Sequence, residues 1–447
     1  MVTSGLGEAR ALDLGSAEAD LLTTLAVLDA RDGELGQVMS HLQAARDRAA
    51  AAGAHATALR ATYNLGVTLH DFGDLDGAVR VLGEGLDDAG RAGLSSSLYG
   101  ADGWVILVNC LVLAGRWEEA QQAVARGGAQ LSERAATGLR VSSLSVPAAR
   151  DPALALNLTD ELLRDSGRVP WAYLLRAARG DALRWLARPE EALEVVTEGL
   201  RELDRLEPYQ LGGLRLDGIG LGALADHRYT RIGETGDAGD EAILRRGAEL
   251  LADAEQRVER GDARHGQLGP EGRGWLARAR AEHARLAGGA GAAGAWRRVL
   301  AEFSDGPGRT AQPYEVAYAR LRRAEALLLA DPTAAAREEA QTLARQARCT
   351  AEELGAGPLR EAVDGLARRA RLDVGAGPAA APTVLTNREQ EVMRLVAQGL
   401  TNRQIGRRLF ISEKTASVHV SNVLAKLGAS GRTEAVAIAQ RRDLLGA

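Results

Sequence analysis

The sequence predicts an all-α protein in which a long array of helical repeats is followed by a compact bundle of four short helices. The 447 residues are 46% hydrophobic but only 4% aromatic, and few segments alternate with the period of two residues that strands require. Landmark residues recur every 35 to 42 residues or so in the first half of the chain. Near the C-terminus, short amphipathic segments follow one another, each opened by a hydroxyl residue.

The first half of the chain contains a recurring pattern of small and large residues. Its clearest copy is Asn64-Leu65-Gly66-x-x-Leu69, followed by Ala78, Leu82 and Gly85, and it has the small and large positions of a tetratricopeptide (TPR) helix pair. The pattern recurs at Val108, Gly115, Ala120, Val124 and Gly127, and again at Gly180, Leu183, Ala187, Ala192, Val196 and Gly199. Weaker copies are predicted at 25–42 and 143–162.

A helix pair of this kind has an apolar face that it cannot bury alone, so neighbouring pairs are expected to stack as a solenoid. The inner surface of such a stack would suit an unknown ligand or partner protein. The alternative is a plain helical scaffold without a ligand. Beyond Gly199 the pattern weakens, but helical periodicity continues and predicts helices at 241–258, 272–286, 314–329, 335–354 and 358–372.

A Gly/Ala/Pro segment without periodicity, at 374–383, is predicted to be a linker between two domains, 1–373 and 384–447. In the second domain Thr386 with Glu389, and Thr401 with Gln404, have the spacing of two capping boxes. Ser412 opens a third helix only two residues after the second one ends, and a fourth helix follows Gly428. This spacing predicts a helix-turn-helix.

The third helix is predicted to have two different faces. Ala416, Val420, Val423 and Leu427 share one side and would form its buried stripe. The other side is short in charge and rich in small polar groups, which suits a helix lying close to base edges in the major groove. The alternative is an ordinary solvated surface.

Residues 385–445 resemble the C-terminal DNA-binding domain of LuxR-type (NarL/FixJ-like) transcriptional regulators, a four-helix helix-turn-helix module. The resemblance implies that residues 413–426 form a recognition helix that binds double-stranded DNA. Lys414, Ser417, Val418, Ser421 and Asn422 match base-contacting or groove-facing positions, Thr401, Thr415 and Lys426 match positions near phosphates, and Asn402 belongs to the same predicted DNA-binding set. Met393, Gly406 and Ala416 depart from the usual residues, all by core-side or small-for-small changes.

A repeat body followed by this module also resembles the C-terminal part of large ATP-binding LuxR-type regulators. The resemblance implies a transcription regulator whose repeats act as a sensor or docking arm, in a naturally shortened or a truncated form. A second hypothesis is a protein-interaction adaptor whose terminal module no longer binds DNA.

The charges are distributed unevenly. Residues 384–447 hold ten Lys/Arg and five Asp/Glu, a net charge of +5, which leaves −10 for the residues before them. A basic module is attracted to a polyanion, whereas an acidic body is repelled by it. The chain's two lysines, Lys414 and Lys426, both fall on the predicted recognition helix.

The same count of lysines argues against an enzyme. A phosphate-binding loop of the G-x-x-x-x-G-K-S/T kind needs a lysine, and none precedes Lys414. A G-x-G-x-x-G match at Gly289, Gly291 and Gly294 lies in an Ala/Gly stretch with no strand before it and indicates a helix connector. Cys110 and Cys349 have no C-x-x-C partner, and no H-E-x-x-H occurs, so no cofactor or metal is predicted.

No segment resembles a signal peptide or is long enough to span a membrane, which predicts a cytoplasmic protein. The fourth helix contains five consecutive apolar residues from Ala435 to Ala439, which would need partners on both sides. This suggests a homodimer on DNA through that helix. The alternative is that the alanines tolerate water and only Val436 and Ile438 are buried.

Overall fold

The computed structural model consists of two compact units, residues 1–374 and 375–447. The structure describes residues 2–30, 35–165, 172–206, 210–230, 237–261, 268–289, 291–330, 333–375, 387–409, 416–417, 419–420, 423–424, 427, 429 and 431–441. All regular secondary structure in these ranges is helical, apart from a single bridge between Gly306 and Arg309.

The first unit, called the repeat body below, contains nineteen helices within the described ranges. They are α1 (Val2–Ala11), α2 (Gly15–Asp29), α3 (Leu35–Ala51), α4 (His55–Asp71), α5 (Leu75–Arg91), α6 (Leu98–Leu113), α7 (Trp117–Gly128), α8 (Glu133–Ser143), α9 (Ser145–Arg150), α10 (Pro152–Asp165), α11 (Ala172–Trp185), α12 (Pro189–Leu206), α13 (Gly213–Thr230), α14 (Asp237–Arg260), α15 (Pro270–Ala287), α16 (Ala292–Phe303), α17 (Pro313–Ala330), α18 (Ala334–Glu353) and α19 (Gly357–Ala370).

Sequential helices pack against each other as pairs, which confirms the predicted all-α, TPR-like architecture. The predicted landmark glycines lie where two helices approach closely. A Cβ atom on Gly66 of α4 would lie 2.5 Å from Leu82 of α5, and one on Gly85 of α5 would lie 2.3 Å from Thr62 of α4. Because only glycine fits there, the two backbones can meet without a gap.

Several turns between paired helices share one backbone conformation. The second residue after the helix has a positive φ in α3, α4, α5 and α6, where it is Gly53, Gly73, Gly93 and Gly115. The same position after α11 is Ala187, with a φ of 57°. The following residue, Arg188, donates its backbone N–H to the carbonyl of Leu183 at 2.9 Å, which satisfies a carbonyl that the helix end leaves free.

The sequence predicted most helices of the repeat body but not all of them. The five helices predicted beyond Gly199 are confirmed as α14, α15, α17, α18 and α19, but α1, α8, α13 and α16 were not predicted. At the weak copy predicted for 143–162 the structure has the short α9 followed by most of α10, so the first helix of this pair is shorter than in the other copies. Gly289 and Gly291 precede α16 and Gly294 lies inside it, where added Cβ atoms would meet nothing within 4 Å. The match therefore spans the connector before α16 and the first turn of that helix.

The repeat body is filled by aliphatic side chains around a few large aromatic ones, of which Trp104 and Trp296 are completely buried. Cys110 of α6 is also completely buried, whereas Cys349 of α18 is exposed. None of the helices in the described ranges combines the length and the apolar composition that a membrane-spanning segment needs.

Candidate nucleic-acid interface

The second unit contains the helices that were predicted to bind DNA. Its described helices are α20 (Asn387–Ala397), α21 (Asn402–Leu409) and α22 (Arg432–Arg441). Between α21 and α22, residues 416, 417, 419, 420, 423, 424 and 427 are helical as well, and we call this segment the third helix of the module.

The module has an apolar core of its own, to which all four helical segments contribute. Its fully buried members include Val392, Met393, Ile405, Ala416, Ala435 and Ala439. Met393 and Ala416, two of the positions that depart from the usual family residues, are thus packed inside the core. These side chains fix how the helices lie against one another.

The third helix buries the stripe that the sequence predicted. Ala416, Val420, Val423 and Leu427 are all buried, at a spacing of four, three and four residues. This is the periodicity of one face of an α-helix, so the helix is held on the module by its apolar side. The sequence prediction for this face is confirmed.

The start of α21 shows the predicted capping box in full. The Gln404 backbone N–H donates to Thr401 Oγ1 at 3.4 Å, and the Thr401 N–H donates to Gln404 Oε1 at 2.8 Å. The Thr401 hydroxyl also donates to Gln404 Oε1 at 3.0 Å. The preceding turn contains Gly399 with a φ of 81°, a conformation that glycine adopts at little cost. Thr401 therefore fixes where α21 begins.

Asn402 and Arg432 form a link between α21 and α22. The Arg432 guanidinium donates to the Asn402 side-chain oxygen and, at 2.8 Å, to the backbone carbonyl of Leu400. Asn402 was predicted as a DNA contact, and the structure places it in this internal bond with its side chain half-buried. The role of Arg432 was missed, because thirty residues separate the two partners and no local pattern connects them.

The other predicted DNA-binding residues divide into two groups. Ser417 is half-buried on the third helix, next to the buried Ala416, and Thr401 is exposed. Lys414, Thr415, Val418, Ser421, Asn422 and Lys426 lie outside the described residues. Their assignment to the DNA-binding face remains a prediction from the sequence.

The fourth helix of the module, α22, buries alanines and leaves larger residues partly accessible. Ala435 and Ala439 are completely buried, while Val436 and Ile438 are half-buried. At about 100° per residue, Val436 and Ile438 flank the buried stripe on its two sides. The alternative that the alanines face water and only the two larger residues are buried is therefore wrong.

The C-terminal module is similar to known bacterial regulators. The sequence profile described as "Bacterial regulatory proteins, luxR family" matches residues 383–439. The spore germination protein GerE of Bacillus subtilis (strain 168) is 51% identical over 53 residues, which are 12% of this chain and 72% of that protein.

Two longer regulators match over a stretch of similar length. The transcriptional regulatory protein LiaR of Bacillus subtilis (strain 168) is 48% identical over 61 residues, 14% of this chain and 29% of that protein. The DNA-binding transcriptional activator DevR/DosR of Mycobacterium tuberculosis is 47% identical over 55 residues, 12% of this chain and 25% of that protein. The chain thus spans less than a third of the length of these two regulators.

Among solved structures, the TPR domain of P58(IPK) aligns with 79% of this chain and 98% of that chain, at 14% sequence identity and a TM-score of 0.22. Agreement at this level supports no conclusion. The helix-pair architecture rests on the packing described above.

Proposed function

Because the chain belongs to the luxR family of bacterial regulatory proteins, we propose that it is a sequence-specific transcription regulator that binds double-stranded DNA through its C-terminal module. The observation that carries the proposal is the buried stripe of the third helix. Since Ala416, Val420, Val423 and Leu427 are all taken up by the module's own core, the opposite face of that helix is left for DNA. The module's net charge of +5 supports the same partner.

In this proposal Lys414, Ser417, Val418, Ser421 and Asn422 face the groove, whereas Thr401, Thr415 and Lys426 lie near phosphates. Asn402 is assigned a positioning part through Arg432, since that bond holds the start of α21. The repeat body acts as a sensor or docking arm, and the protein acts in the cytoplasm, where its DNA is.

The test begins with selection of bound sequences from random duplex by the full chain. Lys426→Ala should then weaken binding to all selected sequences alike and lower the slope of affinity against salt by about one. Lys414→Ala should instead change the preference among sequences, by roughly 1–3 kcal/mol for a good base contact. Arg394→Ala removes the same charge from α20 and serves as the matched control. A change of sequence preference in Lys426→Ala would contradict this assignment of residues.

The adaptor hypothesis predicts a different result. An adaptor whose module has lost DNA binding would bind no duplex even at low salt, whereas a regulator loses affinity steeply as the salt concentration rises. Filter-binding or fluorescence titrations of the full chain over a range of salt concentrations separate the two.

The proposal includes pairing of two modules on DNA through α22. Its support is the half-buried pair Val436 and Ile438, which a second copy could cover. A dimer of this kind binds two half-sites about one helical turn apart. Ile438→Ser should weaken binding to such a double site while leaving a single half-site unaffected, and Gln440→Ser, on the exposed side of α22, is the control. Sedimentation that finds only 1:1 complexes on the double site would count against pairing.

A further inference from the structure

Two adjoining cavities in the repeat body are lined by charged and aromatic side chains. The inner one, of about 160 Å³, is bounded by Arg184, Trp185, Arg278, Tyr314, Tyr318 and Arg322, together with two aspartates. The outer one, of about 1030 Å³, shares Asp226 and Arg322 with it. α17 contributes to both, since Tyr314, Tyr318, Arg322 and Ala326 follow one another at intervals of four residues along one face.

The inner cavity is built around Tyr318. Its hydroxyl donates to Glu282 Oε1 at 2.6 Å and accepts from Arg184 Nη2 at 2.7 Å. The guanidinium carbons of Arg278 and Arg322 lie 4.3 and 5.0 Å from the ring centroid. Positive charge is therefore held against the ring face by cation–π attraction and is oriented by buried carboxylates.

Two of these guanidiniums have N–H donors without a hydrogen-bond acceptor within the described ranges. Arg278 uses Nη1 for Glu315 at 2.6 Å, and Arg322 uses Nη1 for Glu325 at 2.8 Å. The Nε of each is buried, and no acceptor lies within hydrogen-bond distance of it among the residues that the structure describes. A buried N–H of a charged group is costly without an acceptor, so an acceptor is expected in this cavity.

The outer cavity has a different character. Its walls include Ala284, Leu286, Ala326 and Ala330. Leu329 and Tyr229, which also line it, are 74% and 58% exposed, so this wall is apolar and open to solvent. A volume of this size is typical of a small-molecule site.

Unpaired donors select the ligand class. Six arginines and four carboxylates line the two cavities, and Glu282 and Glu315, which pair with Arg285 and Arg278, bring the carboxylates to six, so the formal charges balance. The buried Nε–H groups of Arg278 and Arg322 are the donors left for a ligand. From Arg322 to Leu329 α17 advances about 10 Å, the length of a short extended alkyl chain. An anionic head in the inner cavity and an apolar chain in the outer one would match both environments.

We propose that the two cavities form one binding site for an amphipathic organic acid, whose carboxylate binds between Arg278 and Arg322 and whose short apolar chain lies along Ala326 and Leu329. Binding of the acid does not depend on the proposed function. The further step, that the acid changes DNA binding and that the repeat body thereby senses it, rests on the proposed function.

The test is calorimetric titration of the full-length protein with octanoate. Octanol serves as a probe of the alkyl chain alone, and inorganic phosphate serves as a probe of the anionic head alone. Octanoate should bind at a single saturable site, and octanol at least about tenfold more weakly, since it lacks the charge that the guanidiniums bind. Arg322→Gln should weaken octanoate binding by a similar factor. Arg323→Gln is the matched control, because this neighbour on α17 pairs with Glu339 and lines neither cavity.

Ala326→Trp provides a second variant, which fills the outer cavity and leaves the charged groups in place. It should abolish octanoate binding without changing the circular dichroism spectrum. No saturable binding of octanoate, equal binding of octanol, or unchanged affinity in folded Arg322→Gln would each overturn the site. DNA binding by the protein is measured separately, with and without octanoate. If the protein binds octanoate but no DNA, the proposed function is rejected and the acid-binding site is still supported.

Discussion

Asp226 of α13 forms salt bridges with three arginines of the repeat body. Its carboxylate lies 2.9 Å from Arg184, 2.8 Å from Arg285 and 3.5 Å from Arg322. Burial alone would raise its pKa, but these guanidiniums lower the pKa below its ordinary value of 3.8. The carboxylate is therefore charged whenever the protein is folded at neutral pH, and it holds three arginines that come from different helices.

Asp226→Asn should destabilise the repeat body by about 3 kcal/mol at pH 7, because three buried guanidiniums lose their shared counter-charge. Asp160→Asn, which removes a carboxylate paired with Arg179 at the surface, should cost less than about 1 kcal/mol. Urea unfolding followed by tryptophan fluorescence measures both. Equal losses in the two variants would contradict the importance given to the buried cluster.

The lowered pKa of Asp226 predicts how the loss of stability in Asp226→Asn depends on pH. A group whose pKa is lower in the folded state stabilises the protein above its unfolded pKa, and this contribution is lost as the pH falls through the folded pKa. The deficit of Asp226→Asn should therefore stay constant from about pH 8 to about pH 5 and shrink only below the ordinary value of 3.8. A deficit that already shrank between pH 8 and pH 6 would mean that the pKa is not lowered.

At the scale of the element, several turns between paired helices contain one residue with a positive φ. Ala187 occupies this position after α11, where α3 to α6 have glycine. Ala187→Gly should stabilise the repeat body by up to about 1 kcal/mol, since the left-handed conformation costs alanine about 1–2 kcal/mol and the greater freedom of unfolded glycine offsets part of the gain.

Gly53→Ala is the reverse experiment. An added Cβ at Gly53 meets nothing within 4 Å, so its effect is confined to the backbone conformation, with a φ of 64°. We expect a loss of about 1 kcal/mol. The midpoint of thermal unfolding reports both changes, and shifts of the same sign in the two variants would contradict this explanation of the turns.

Helices with a clear 3.6-residue periodicity or a landmark of the repeat pattern were predicted from the sequence, and α1, α8, α13 and α16 were not. α14, α15, α17, α18 and α19 show the periodicity of helices with one wet face. α13 was missed because Leu214, Leu216, Ile219 and Leu221 are all buried and the polar Arg215 and Asp217 between them are buried as well, so that no solvated polar face marks the helix. α16 was missed because its first turn continues the Ala/Gly connector.

The candidate sites likewise contain some parts that the sequence predicted and others that it did not. The Thr401–Gln404 capping box and the stripe of the third helix are local patterns, and both were predicted. The bond from Arg432 to Asn402 and the cluster around Tyr318 join residues that are far apart in the chain. Only the folded chain brings these groups together, so no spacing in the sequence could have indicated them.

At the scale of the whole molecule, each of the two units has an apolar core of its own. All six tryptophans lie between Trp104 and Trp296, so tryptophan fluorescence reports the repeat body alone. Because a small domain buries a smaller fraction of its surface than a large one, we expect the module to be the less stable unit. We expect circular dichroism to show a first transition in urea that fluorescence does not show. Superimposable transitions by the two methods would mean that the units unfold together.

The contrast between the two cysteines gives the native chain a built-in attachment point. Burial raises the pKa of the Cys110 thiol and shields it from reagents, whereas Cys349 is exposed on α18. The hydrogen bond from Cys349 Sγ to Glu353 raises the pKa of that thiol, so a maleimide fluorophore should attach there faster in mildly alkaline buffer than at neutral pH. A dye at this one position, with an acceptor dye on one end of a duplex, would report the distance between the repeat body and bound DNA without a single substitution.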